Sequence, residues 1–333
     1  MGTLRSTTAR TTAALRFDGL WWRKFAYLGC VYGPEWWKRG APPVIAAIIF
    51  ALIGRNRRGA IENLQHIHGD GDRRRAARAA LRMFAEFAHC MTETMEYYGA
   101  HPQPIHFDLP SPDLLAAALQ AGRGAVLVTG HIGNWDIAAK TLREYNRPIN
   151  LVMARESNTT TQEYVRNMRE QHDVRVIYSD TSVFSSLNMI RALRQNEVVA
   201  IQLDRMLGAG GARPVPFFGT PALFPSGPFV LARLAGAPVI PVFIPRLGTR
   251  HYAVRFGTAH LLSREARDAH ALERAMRAVV AEFEDVIRTF PTQWFQFTPF
   301  WTSPAAAARP TAATPPAELP PDDAAQPARR TIP

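Results

Sequence analysis

Polar and apolar positions change rhythm twice along this chain of 333 residues. The stretch "APPVIAAIIFALIG", 41–54, is almost wholly apolar and lies between "LWWRKFAYLGCVYGPEWWKRG" and "RNRRG". After it, apolar residues recur at intervals of three and four. A Gly/Asp turn at 69–72 separates one helix from a longer one, on which Leu81, Phe84, Phe87, Ala88 and Met91 mark a buried face. The prolines of "HPQPIHFDLPSPD" end this all-helical part. Short apolar runs then follow, "AVLVT" (125–129), "INLVMA" (149–154), "VRVIY" (174–178), "VVAIQL" (198–203) and "VIPVFI" (239–244). Helical patterns over 159–172, 183–195 and 226–235 separate them, and an amphipathic helix is predicted over 266–289. Apolar strands alternating with helices predict an α/β fold, an N-terminal helical segment followed by a mostly parallel or mixed sheet flanked by helices. The predicted organisation is 1–58 as a basic, aromatic N-terminal segment, 59–302 as the main domain, and 303–333 as a tail. Within the main domain, 59–105 is helical and 113–302 is α/β. The tail is rich in Ala and Pro and too poor in large apolar groups to offset the entropy of ordering, so it is predicted to be disordered.

A span requires about 18 to 20 apolar residues, and the run at 41–54 falls short of that. Its flanks place Trp21, Trp22, Trp36 and Trp37 beside Arg23, Lys24, Lys38 and Arg39. Rings mixed with cations suit the headgroup layer, where each side chain keeps one end wet, so a monotopic or re-entrant segment is expected. An apolar helix packed in an ordinary core has the same composition. The formal charge of +11 suits an anionic membrane surface, an acidic carrier or nucleic acid. No nucleic-acid reading motif accompanies it, and "RRRAAR" (73–78) reads as a solvated helix face, so no nucleic-acid partner is expected. The two cysteines have no ligand spacing, and His66 and His68 lack nearby partners, so no metal role is assigned.

The chemistry concentrates in "AVLVTGHIGNWDIAAK", 125–140. On a continuous helix, residues five apart diverge by about 140°, so His131 and Asp136 meet only if the histidine lies in a turn leaving the strand and the aspartate in the helix that follows. Gly130 and Gly133 supply the freedom for such a turn. A carboxylate on one imidazole nitrogen fixes the tautomer and leaves the other nitrogen to take a proton from an attacking hydroxyl. The same pattern also fits a turn histidine and an aspartate drawn to a helix N-terminus. Ser226 in "FPSGP" lacks the G-x-S-x-G context of a nucleophile elbow, which favours direct transfer over an acyl-enzyme.

"TGHIGNWD" resembles the signature block of the lysophospholipid acyltransferase superfamily, in particular the bacterial lipid A late (lauroyl/myristoyl) acyltransferases, and phosphatidylinositol mannoside acyltransferases are similar there. "NRRGAIENL", "MARESN", "VVAIQLDRMLGAGGARPVPFFGTPALFPSGPFVLARLAGAPVIPVF" and "PTQWFQFTPFW" resemble further blocks, so the likeness runs over about residues 20–302. The resemblance implies a glycerolipid acyltransferase-like fold and acyl transfer with His131 as general base and Asp136 orienting it. It implies that Asn134, Arg155, Asn158, Asp204 and Arg205 bind substrate, and that Phe217, Phe218, Leu223 and Phe224 line an acyl groove. These four are equally good core residues. No cofactor is implied. The donor would be a thioester on acyl carrier protein or coenzyme A. The acceptor would be a hydroxyl of a glycolipid, lipid A precursor or lysolipid, met at the cytoplasmic face of the inner membrane. Asp136 stands where lipid A enzymes often carry Glu, and the basic run expected after the last block is missing. These departures keep an aminolipid or secondary-metabolite acceptor, or an inactive membrane-surface scaffold, as alternatives.

Overall fold

Every position of strand β2 (Ala125–Thr129) is buried, as its uninterrupted apolar sequence predicts for a strand covered on both faces. In the computed structural model it pairs in parallel with β5 (Val198–Gln202) on one side and β8 (Pro238–Phe243) on the other. Strands β3 (Ile149–Met153) and β4 (Val174–Tyr178) extend the parallel set, giving the order β8-β2-β5-β3-β4. The short strands β11 (Arg255–Phe256) and β12 (His260–Leu261) add antiparallel to β8, so the sheet is mixed. The structure describes residues 27–109, 114–137, 145–153, 174–179, 183–205, 211–262 and 270–301. The predicted helix at 159–172 and the tail at 303–333 lie outside them.

Helices α4 (Leu114–Gln120), α5 (Val183–Arg194) and α6 (Gly227–Ala235) pack beside this sheet. Helix α7 (Ala271–Thr289) does so through Leu272, Ala275, Met276, Val279, Val280, Phe283, Val286 and Ile287, a face repeating at three and four. Two hairpins escaped the sequence pattern. In β6 (Ala212–Phe217) and β7 (Thr220–Pro225) the turn places Phe218 at φ 50° and Gly219 at φ 76°, both left-handed, the conformation of a two-residue hairpin turn. Strands β9 (Arg246–Gly248) and β10 (His251–Ala253) form the other, and β1 (His106–Asp108) adds to β10 in parallel.

Three helices precede the sheet. Helix α1 (Glu35–Leu52) bends by 100° into α2 (Gly54–His68), so the expected boundary at residue 58 falls inside α2. Gly69 and Gly71, both left-handed, then turn the chain into α3 (Arg73–Tyr97), whose N-cap Asp72 accepts from the Arg74 and Arg75 amides. The helical period of α3 is as predicted, but its phase is rotated. Ala76, Ala80, Met83, Phe84, Cys90, Thr94 and Tyr97 are buried, whereas Leu81, Phe87 and Met91 are exposed. The small residues Ala76 and Ala80 allow close approach of the neighbouring helices, a criterion that ranking by hydrophobicity overlooks. Among the described residues no single helix is long and apolar enough to cross a membrane, although α1 and α2 together have the composition. The outer face of α1 shows Trp36, Val44, Ile45, Ile48 and Leu52 to solvent.

Candidate active site

The turn that leaves β2 is built by two close approaches. A Cβ on Gly130 would sit 2.3 Å from the Phe283 ring, and one on Gly133 would sit 1.9 Å from the Ile244 carbonyl oxygen. Gly133 also has φ +58°, so both backbone geometry and space require glycine there. Backbone hydrogen bonds then fix the turn from two directions. Asn134 N–H donates to the Ile244 carbonyl at 3.1 Å, Gly133 N–H to Gln293 at 3.0 Å, and Phe295 N–H to the His131 carbonyl at 2.7 Å. His131 is thereby held at the C-terminal edge of the parallel strands, where open α/β sheets place ligands.

The carboxylate on the His131 ring is Asp204, from the end of the adjacent strand β5. Its Oδ1 lies 2.7 Å from His131 Nδ1, and its Oδ2 accepts the His131 backbone N–H at 2.7 Å and the Trp294 indole N–H at 2.9 Å. Asp204 is fully buried, which alone would push its carboxyl up. The His131 charge and the three donors outweigh that and hold it below the usual carboxylate range. An ionised carboxylate only accepts, so the imidazole proton sits on Nδ1 and the lone pair on Nε2. Nε2 has no hydrogen-bond partner among the described residues, and the His131 side chain is 13% exposed. The pair therefore has one ring nitrogen fixed by the carboxylate and the other without a hydrogen-bond partner among the described residues.

Asp136 is not the ring's hydrogen-bond partner. It is half-buried two residues further along the turn from Asn134, and the Tyr98 hydroxyl reaches its carbonyl oxygen at 3.4 Å and its Oδ1 at 3.5 Å. Sequence spacing favoured Asp136 because a local partner is easy to see, whereas Asp204 is 73 residues away and is brought in by the pairing of β2 with β5. Asn134 also departs from the substrate-binding role expected of it. It is buried, and its amide is spent on Thr94, the Cys90 carbonyl and the Tyr252 hydroxyl, tying the turn to α3 and β10. Arg205 is exposed beside Asp204, and Arg155 and Asn158 lie outside the described residues.

The residues expected to line an acyl groove are interior. Phe217 and Phe224 are fully buried and Phe218 nearly so, with Leu223 half-buried. Phe217 meets Phe224, Phe283, Trp294, Phe300 and Trp301 at ring separations of 5.2 to 5.8 Å, the packing of an aromatic core cluster. Apolar open space occurs instead on one face of the sheet. Leu127, Leu151, Val174, Ala200, Val242 and Ile244 line a hollow that also touches Trp135 and Asp136 of the turn. Neither cysteine offers a competing nucleophile, since burial pushes the Cys90 thiol, and less strongly the Cys30 thiol, up from its ordinary range.

Residues 9–303 match the family model of the bacterial lipid A biosynthesis acyltransferases. The chain belongs to this family. It is also similar to phosphatidylinositol mannoside acyltransferases. One from Mycobacterium tuberculosis is 30% identical over 200 residues, 59% of this chain and 60% of that protein. One from Mycolicibacterium smegmatis is 29% identical over 199 residues, 58% and 62% of the two chains. The match thus spans about three fifths of the length of these curated relatives.

In this family member the sequence reading missed Trp294, Gln293, Tyr252, Glu93 and Arg246. Gln293 accepts the Arg246 N–H and donates to the Arg246 carbonyl, both at 2.7 Å. The Arg246 guanidinium meets Glu93 at 3.1 Å and Glu86 at 3.2 Å, and Glu93 accepts from the Tyr252 hydroxyl. The block "NRRGAIENL" also gains a physical role. A Cβ on Gly59 would sit 2.5 Å from the Phe297 carbonyl oxygen, and Asn63 bonds the Gln296 and Thr298 carbonyls and the Phe300 N–H. That docking fixes the segment carrying Trp294. The available signal was Glu93 and Glu96, two acids at positions where α3 turns inward.

Proposed function

We propose that this protein is an acyltransferase that moves a fatty acyl group from a thioester, on acyl carrier protein or coenzyme A, to a hydroxyl of a membrane glycolipid. The observation that carries the reading is the His131–Asp204 pair, with Nε2 left without a hydrogen-bond partner among the described residues. His131 Nε2 takes the acceptor's hydroxyl proton as its oxygen bonds to the thioester carbonyl carbon. Asp204 holds the ring's orientation and stabilises the imidazolium. Collapse of the tetrahedral intermediate breaks the C–S bond, and the imidazolium returns its proton to the leaving thiolate. The products are an ester and a free thiol, with no acyl-enzyme. Asp136 and Trp135 stand where the turn meets the hollow, which suits contact with substrate.

A glycolipid acceptor agrees with family membership and with the phosphatidylinositol mannoside acyltransferases as relatives. Docking at the cytoplasmic face of the inner membrane, peripheral or monotopic, is supported by the exposed apolar face of α1 and by the basic residues Arg55, Arg57 and Arg58 that follow it. The test is acyl transfer from a radiolabelled thioester into extracted lipid, with lipid mass spectrometry to name the acceptor. His131→Ala is expected to lower turnover about 10²- to 10⁴-fold with the fold intact. Near wild-type turnover in that variant would remove the assignment.

A further inference from the structure

On the side of the molecule formed by β1 and β10, three side chains converge that the acyl-transfer reading does not use. Parallel pairing sets His106 opposite His251, Phe107 opposite Tyr252 and Asp108 opposite Ala253. Side chains alternate faces along a strand, so His106, Asp108 and His251 share one face while Phe107 and the buried Tyr252 stack on the other. His106 Nε2 lies 3.1 Å and His251 Nε2 lies 3.0 Å from the same oxygen, Asp108 Oδ1. All three donor atoms fall within 4.8 Å of one another.

We infer that these residues form a binding site for a divalent transition metal ion, with Zn²⁺ as the occupant. Two imidazoles and one carboxylate are borderline donors suited to that class of ion rather than to Ca²⁺ or Mg²⁺, which take oxygen ligands. The spacing fits the geometry. Tetrahedral bonds of about 2.0 to 2.1 Å separate neighbouring ligand atoms by roughly 3.3 to 3.4 Å, so the observed nitrogen–oxygen distances need to open by only a few tenths of an ångström. The side chains are exposed or half-buried, which leaves a fourth position to water. Bound metal would fasten a strand of three residues to the hairpin whose Tyr252 hydroxyl meets Asn134 of the His131 turn.

The experiment uses the full chain, without an affinity tag and stripped with chelator, titrated calorimetrically with Zn²⁺ at about pH 7.5. The expected result is one site with a dissociation constant in the micromolar range, visible absorption bands when Co²⁺ replaces Zn²⁺, and a higher melting temperature with metal. His106→Ala, Asp108→Asn and His251→Ala should each weaken binding at least tenfold, leaving the metal-free melting temperature nearly unchanged. Absence of a one-to-one site tighter than millimolar would overturn the proposal. Equal Zn²⁺ affinity in the triple variant H106A/D108N/H251A would overturn it too, by moving the binding to other histidines.

Discussion

Asp204→Asn isolates charge and tautomer from shape. In the native site, Oδ1 faces His131 Nδ1 while Oδ2 accepts two N–H groups, from the His131 backbone and the Trp294 indole. An asparagine has one oxygen and one NH₂. If its oxygen keeps the two N–H donors, the NH₂ faces Nδ1, which must then accept, and the ring proton moves to Nε2. The opposite flip opposes NH₂ to two donors and strands both, at about 1 to 3 kcal/mol per buried group, so the first arrangement wins. The fold then loses charge-assisted bonds, worth about 1.5 to 3 kcal/mol each against about 1 for neutral ones, but is relieved of burying a carboxylate. Stability should therefore change by no more than about 2 kcal/mol. Catalysis has no such compensation, because the nitrogen that must take a proton already holds one. A loss of about 10³- to 10⁴-fold is expected, or roughly 4 to 5.5 kcal/mol of barrier. Thiol release from the acyl thioester, measured with acceptor lipid present, gives kcat and KM, and thermal unfolding gives stability. Asp136→Asn is the comparison and should lower kcat less than about tenfold, since it does not bond the ring. If Asp204→Asn retains turnover within about threefold of wild type while Asp136→Asn abolishes it, the pairing seen here is not the working one.

Gly133→Ala forces a side chain into left-handed backbone and against the Ile244 carbonyl, so chemical denaturation should show a loss of about 3 kcal/mol or more; an unchanged midpoint would refute the steric argument. Ile45→Glu with Ile48→Glu places charges on the exposed face of α1, and co-sedimentation with anionic vesicles should fall at least tenfold without a change in melting temperature. Undiminished binding would assign docking to another surface. Acid stability tests the Asp204 environment. Its folded pKa lies below the unfolded value, so its contribution is present above about pH 4 and is lost as pH falls through the folded pKa. The difference in unfolding free energy between wild type and Asp204→Asn should shrink over that descent, and a constant difference from pH 7 downward would contradict the depressed carboxyl.

Local sequence determined a great deal. The apolar runs at 125–129 and 174–178 became strands over those same residues, the first buried at all five positions and the second, last in the strand order, buried only at Val174. The glycines of "TGHIGNWD" announced a tight turn at a strand end, and Gly133 has the left-handed backbone that such a turn demands. Short elements were less legible. Strand β1 lies among prolines, and the turn at Phe218–Gly219 carries an aromatic residue where glycine or asparagine is the usual sign.

What the tertiary structure alone decided was partnership. His131 takes its carboxylate from a strand 73 residues away, Asn134 is spent on a helix that precedes it by 40, and His106 meets His251 across two strands of the same face. The aromatics that looked available for an acyl chain packed against Trp294 and Trp301 instead. Local periodicity reports which face of an element is buried, because that depends on residues a few positions apart. Which atoms meet across faces depends on strand order and register, and those are settled only when the whole sheet closes around its core.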